Sequence, residues 1–183
     1  TVTNVRDQHP HREDAPSRGH LVADYLTAEP SPSEYLQTVA AQKDEYNGFN
    51  LIVGTPENAF YFSNRDGTPR RISSGIHGMS NAQLDDPWPK VERGTARLRE
   101  LLDETPTVEV LLDVLNDREP APDKALPDTG VGLNTERKLS PPFIQGDAYG
   151  TRASTVLLIH RSGSVTFVER TFAGAGSTGT NRY

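Results

Sequence analysis

The sequence predicts a layered α+β domain, and three observations carry that expectation. Apolar spacing runs in blocks, helical and then strand-like, helical and strand-like again, which is not the alternation of a βαβ repeat. The helical blocks open on capping residues or proline. The strand-like blocks are short and separated by turn-forming residues, as in antiparallel hairpins. No internal repeat is visible.

Taken in order, Thr1 to Asn4 reads as the end of a strand leading into a polar loop, Arg6 to Pro16. Ser17 is placed to cap a short helix with Leu21, Val22, Tyr25 and Leu26 on its apolar face. Ser31-Pro32-Ser33-Glu34 is a capping box with proline at the first helical position, and Tyr35, Leu36, Val39 and Ala40 follow as a buried stripe. Phe49 to Val53 and Ala59 to Ser63 are strands flanking a turn at Gly54-Thr55-Pro56-Glu57-Asn58. Asp66-Gly67 marks a further turn before a short strand near Arg71 to Ser73. After the glycine-bearing passage Gly75 to Asn81, Pro87-Trp88-Pro89 opens a helix that buries Val91, Leu98, Leu101 and Leu102, with Trp88 as a packing anchor. The next helix starts around Thr105-Pro106 and carries Val108, Leu111, Leu112 and Leu115. Glu119 to Gly150 is proline-rich and irregular, and a loop of that length is usually functional or mobile. Ser154 to His160 and Ser164 to Phe172 form a hairpin across Arg161-Ser162-Gly163, and residues 173–183 read as a disordered tail.

Composition removes several function classes. Charged residues at 24% and apolar residues at 34% place the chain with globular proteins, and no apolar run approaches the ~18 residues of a transmembrane helix. The net charge of −6, with scattered lysines and arginines, makes nucleic acid and acidic membrane surfaces poor partners. The absence of cysteine excludes disulfides and thiolate metal sites, and suits a reducing, cytoplasmic setting. No metal site is expected. His9 and His11 stand two apart in a polar loop, where two imidazoles could take a metal or haem iron, although exposed loop histidines without that role are commoner. His77 is expected to be a hydrogen-bonded structural histidine. Gly174-Ala175-Gly176-Ser177-Thr178-Gly179 matches G-x-G-x-x-G, but a dinucleotide fingerprint needs a helix and a second strand after it, and only four residues remain.

Four ordered segments carry a family resemblance: Thr3-Asn4-Val5-Arg6-Asp7; Ser17-Arg18-Gly19 with Leu21 and Val22; Tyr46 to Gly54 followed by Tyr61-Phe62-Ser63-Asn64-Arg65; and Gly75-Ile76-His77-Gly78-Met79-Ser80-Asn81 with Pro87-Trp88-Pro89-Lys90. Tyr149-Gly150-Thr151-Arg152 before the apolar strand adds a fifth element. In this order they resemble the NRDE-type family, that of transport and Golgi organisation protein 2, from Thr1 to about Phe172. The domain expected is therefore 1–172. That family opens with methionine-cysteine, two core strands and an Asn-Arg-Asp-Glu signature, none of which stands in this sequence. Asn64-Arg65-Asp66 is followed by Gly67 and reads as a hairpin turn. The resemblance thus implies the C-terminal three-quarters of a family domain, with the N-terminal segment as its missing partner, and makes Thr1 the interior of a strand rather than a nucleophile.

The resemblance further implies an N-terminal-nucleophile-hydrolase-like fold, an αββα sandwich, here without its first strands. In active enzymes of that fold an N-terminal Cys, Ser or Thr attacks an amide carbonyl with its own α-amine as base, and polar donors stabilise the oxyanion. Related cysteine-start enzymes, the bile-salt hydrolases and penicillin V acylases, complete the site with asparagine amides and an arginine. Asn81, Asn4 and Arg152 are the positions that match, as oxyanion donors and orienting groups. For each there is a plainer alternative: a turn for Asn81, an Asx-turn for Asn4, a surface ion pair for Arg152. The function implied is an intracellular protein that handles haem or acyl-lipid cargo in Golgi organisation and secretion, with haem as cargo rather than resident cofactor. The alternative is an amidohydrolase whose nucleophile lies in the segment this sequence lacks, so that the present chain alone is inactive. A third is an interaction module of the secretory pathway.

Overall fold

The structure is a computed structural model that describes residues 1–28, 30–146, 148–174 and 176–183. Helices and antiparallel sheets are both present, as an α+β protein requires. The chain divides into two compact units, Thr1–Asp86 and Pro87–Tyr183.

In the first unit, strands β1 (Val2–Asn4), β2 (Phe49–Gly54), β3 (Ala59–Ser63) and β4 (Arg70–Arg71) form an antiparallel sheet in sequence order. The register pairs Val2 with Leu51 and Leu51 with Phe62, so these side chains share one face, while Thr3, Asn50 and Ser63 share the other. Helices α1 (His20–Ala28) and α2 (Pro32–Ala41) pack on the first face. Leu21, Tyr35, Leu36 and Val39 meet Phe49, Leu51, Val53 and Phe62 there to make the core. The cap expected at Ser31 forms: its Oγ accepts from the Glu34 amide at 3.3 Å, and the Glu34 carboxylate turns back to that same hydroxyl, which donates to it at 2.5 Å. Leu26 departs from its expected buried stripe and is 70% exposed. The short strand expected at Arg71 to Ser73 sits one residue earlier, where the Arg70 and Arg71 backbones pair with Tyr61 and Phe60. The Asn64-Arg65-Asp66-Gly67 turn is built around the Ser63 carbonyl, which accepts from the amides of Asp66 and Gly67, with Gly67 at a φ of 90°.

The second unit holds α3 (Pro89–Leu102), α4 (Val108–Val114), α5 (Leu133–Leu139) and the antiparallel sheet β5 (Ala153–Ile159), β6 (Val165–Ala173) and β7 (Gly176–Arg182). Trp88 occupies the N-cap position of α3 with proline following. None of the α3 side chains expected in the core is fully buried, and Leu102 is half exposed. Helix α4 starts at Val108, later than the expected Thr105-Pro106, and Thr107 caps it: the Thr107 hydroxyl accepts from the Val110 amide. Leu112 of α4 packs on Val156 and Val168 of the sheet. The irregular stretch contains α5, which is pinned by the buried carboxylate of Glu136; its Oε1 accepts from the Thr129 amide at 2.9 Å and hydroxyl at 2.5 Å.

The tail corrects an expectation. Residues 176–182 are not disordered but pair with β6 from Val168–Arg182 to Ala173–Gly176, with a bulge at Thr171/Phe172. Ala175 lies outside the described residues. Every residue of β7 is exposed, so no apolar alternation marked it as a strand. It is held instead by its ladder and by contacts such as Thr171 Oγ1 to Thr178 Oγ1 at 3.0 Å. Residues 176–179 of the G-x-G-x-x-G match lie in β7, not at the start of a helix. No helix among the described residues is long and apolar enough to cross a membrane.

Candidate functional site

Two polar layers meet where β1 ends. The first lies beneath the sheet face opposite the helices. Asn50, fully buried, donates from Nδ2 to the Ala82 carbonyl (2.6 Å) and to Thr3 Oγ1 (3.2 Å), and its Oδ1 accepts from the Tyr61 hydroxyl (2.8 Å). Tyr61 oxygen accepts in turn from the Leu84 amide at 3.2 Å, and Thr3 Oγ1 donates to the Ser80 carbonyl at 2.8 Å. These bonds seat the segment Gly78–Asp86 on strands β1, β2 and β3. Such a buried network persists because each member is satisfied.

Asn81 belongs to that segment. Its backbone carbonyl accepts from the Arg6 amide (2.7 Å) and its side-chain Nδ2 donates to the carbonyl of Asn4 (3.0 Å). The Asn81 side chain therefore holds the end of β1 through the Asn4 backbone, while its Oδ1 accepts from the neighbouring Ser80 hydroxyl at 3.5 Å. Arg152 stands in the second unit, exposed, just before β5; its carbonyl accepts from the Phe172 amide at 2.9 Å.

The second layer is a cavity of about 330 Å³ on the helix side of β1. Val2 and Asn4, which point to this side by register, line it together with His11, Arg12, Arg18 and Asn47. The loop that delivers the cations is held by its own polar contacts. Asn47 clamps Arg12 through two bonds to its backbone, at 2.9 and 2.8 Å, and the Arg12 guanidinium donates to the Glu45 carbonyl. Arg18 Nη1 donates to the Gly48 carbonyl at 2.9 Å. His9 is turned to Asp7, with Nδ1 2.9 Å from Oδ2, so His9 and His11 have different surroundings. Asp7 also takes Arg65 Nε at 2.6 Å. Burial pushes the Asp7 carboxyl up, but the bonds to Arg65 and the His9 amide and the charges of both partners outweigh it and hold it below its ordinary value.

Of the residues expected at a site, Asn4 lines this cavity, whereas Asn50, Tyr61, Arg12 and Arg18 were given no role by the sequence. A signal for Asn50 existed: it is the one polar residue inside Phe49-Asn50-Leu51-Ile52-Val53, and a polar side chain in a doubly buried strand requires partners. Arg12 and Arg18 carried no comparable mark.

An α+β protein with a polar-lined cavity on the helix side of β1 is the class that these features define. The chain belongs to the Transport and Golgi organisation 2 family, whose model matches residues 1–174. It is similar to the human Transport and Golgi organization protein 2 homolog, 36% identical over 177 residues, which is 85% of this chain and 62% of that protein. The mouse Transport and Golgi organization 2 homolog is 34% identical over 172 residues, 86% of this chain and 62% of the relative. Transport and Golgi organization protein 2 of Drosophila melanogaster is 26% identical over 186 residues, 90% and 64% of the two chains. The family expected from the ordered segments is thus the family found. The chain spans 62% to 65% of the length of the relatives it matches.

Proposed function

We propose that the cavity beside Asn4 is a ligand site and that its ligand is an anionic amphiphile, haem or an acyl-lipid, carried as cargo. The observation that carries this reading is the convergence of Asn4, Asn47, Arg12, Arg18 and His11 on one cavity of about 330 Å³. Two guanidiniums and an imidazole against the single carboxylate of Glu13 favour an anion, and amide donors suit its oxygens. Ligand pockets usually measure about 300–1,000 Å³, so this one suits an acidic head better than a whole amphiphile. Haem propionates and acyl carboxylates or phosphates both offer that head.

An N-terminal-nucleophile-hydrolase-like sandwich is the fold we infer for the family domain. In support, helices α1 and α2 lie against one face of the first unit's antiparallel sheet and helix α4 packs on the second unit's, and helix-on-sheet layers are what such a fold contains. The lack of cysteine fits a cytoplasmic setting.

Haem titration of the whole chain, followed by its absorption band and with a long-chain acyl ligand as competitor, tests the carrier reading. Saturable binding weakened about tenfold by Arg18→Ala, the loss of one charge-assisted bond, is expected. Equal affinity in parent, Arg18→Ala and Asn4→Ala would sink it. Turnover of an acyl-amide substrate in a parallel assay would transfer support to the amidohydrolase alternative.

A further inference from the structure

The segment that carries Asn81 is closed at its two ends by a single side-chain pair. His77 Nδ1 lies 2.7 Å from Asp85 Oδ2, and the other Asp85 oxygen accepts from the Gly78 amide at 2.9 Å. The Asp85 amide donates back to the Gly78 carbonyl at 2.8 Å. Asp85 is the one non-glycine residue with a positive φ (67°) among the described residues, a left-handed conformation that a surrounding network must hold. Gly75, at a φ of 149°, brings the chain alongside the ring, where an added Cβ would lie 3.6 Å from His77 Nε2.

The second ring nitrogen decides the chemistry. Nε2 sits 3.0 Å from the Ser73 carbonyl oxygen and 3.5 Å from the Ser73 hydroxyl. Ser73, His77 and Asp85 have the order of a nucleophilic triad, but a general base would have to accept at Nε2, and here the oxygen nearest that nitrogen is the Ser73 carbonyl, with the hydroxyl further off at 3.5 Å, the limit of a hydrogen bond. The nearest oxygen to each ring nitrogen is an acceptor, the Asp85 carboxylate at Nδ1 and the Ser73 carbonyl at Nε2. A neutral imidazole has one N–H and satisfies one of them; only the imidazolium satisfies both.

We propose that His77 is a proton-held clasp on the segment Gly78–Asp86, closed when the imidazole carries its second proton and loosened when that proton leaves. The groups that face the clasp are Asp85, Arg70 of β4, whose charge acts on Asp85, and Asp66, which holds Arg70 at 2.8 Å. The hydrogen bond to Asp85 raises the His77 pKa above its ordinary 6.5, burial opposes it, and the Ser73 carbonyl adds to the rise. A raised folded value means that the clasp is complete below the ordinary value and is lost as pH rises through the folded one. Burial pushes Asp85 up, but the bonds to His77 and the Gly78 amide, with the charges of His77 and Arg70, hold it below the ordinary carboxylate value, so it stays ionised over that range. The consequence reaches β1, because the same segment supplies the carbonyls of Ser80, Asn81 and Ala82 to Thr3, Arg6 and Asn50.

Hydrogen exchange and imidazole NMR on the whole chain test this without any ligand. The Leu84 and Asp85 amides, bonded to the Tyr61 oxygen and the Gly78 carbonyl, report opening once the intrinsic pH dependence of exchange is removed. Their protection is expected to fall across the His77 titration by about tenfold for each unit by which the folded pKa exceeds the free value. The Leu51 and Val53 amides, in the sheet centre, stay unchanged. Asp85→Asn should bring the His77 titration down and shrink the effect, and His77→Gln should abolish it. Protection that is flat across the His77 titration, or a pH dependence that survives His77→Gln, overturns the clasp.

Discussion

Replacing Tyr61 by phenylalanine removes one oxygen from the centre of the first unit. The ring stays and so does its packing, since Tyr61 is fully buried and Phe60 and Phe62 flank it in β3. What goes is a donor to Asn50 Oδ1 at 2.8 Å and an acceptor for the Leu84 amide at 3.2 Å. A net hydrogen bond contributes about 1 kcal/mol, and a buried polar atom left without its partner costs about 1–3 kcal/mol. The Leu84 amide is part-buried and recovers some of its loss in water, whereas Asn50 Oδ1 is enclosed and does not. The expected destabilisation is therefore about 2–4 kcal/mol, or roughly 5–15 °C in Tm for a chain of this size. Urea unfolding followed by far-UV circular dichroism measures it. Combining Tyr61→Phe with Asn50→Leu should show coupling of about 1–2 kcal/mol, because the second substitution deletes the acceptor that the first stranded. A loss below about 0.5 kcal/mol, or strict additivity, would refute the view that this network seats the Gly78–Asp86 segment.

Leu36→Ala in α2 should cost about 2–5 kcal/mol, since Leu36 is fully enclosed between α2 and the sheet; a near-neutral result in thermal unfolding would contradict that core. Glu136→Ala should cost about 1.5–3 kcal/mol by removing the acceptor of two Thr129 bonds, and exchange of the Thr129 amide should rise with it. The Asp7 carboxylate, held below its ordinary 3.8, contributes stability that is present above that value and lost as pH falls through the folded one. An acid titration of Asp7→Asn should accordingly lack part of the parent's acid-side loss, and superimposable curves would count against the Asp7–Arg65 pair.

Much of the fold was legible because local chemistry and tertiary packing agreed. The Ser31 cap, the Tyr35-Leu36-Val39 stripe and the β2–β3 hairpin each carried their own signal, and each formed. Legibility failed where stability comes from partners remote in sequence. Strand β7 has no apolar face to read, and α5 opens on Gly132 without a side-chain cap and buries a glutamate. For the candidate site, Asn4 could be singled out because it ends a strand in a segment that resembles the family. The cations Arg12 and Arg18 could not, since a loop arginine has the same sequence signature whether it lines a cavity or faces solvent.

The ligand site itself is most directly tested by amide NMR of the whole chain titrated first with haem and then with a long-chain acyl ligand. Binding beside β1 should produce saturable shifts centred on Asn4, Arg12, Arg18 and Asn47, with the same residues responding to both ligands. Shifts confined to other surfaces, or a spectrum unchanged by either ligand, would contradict the proposed site.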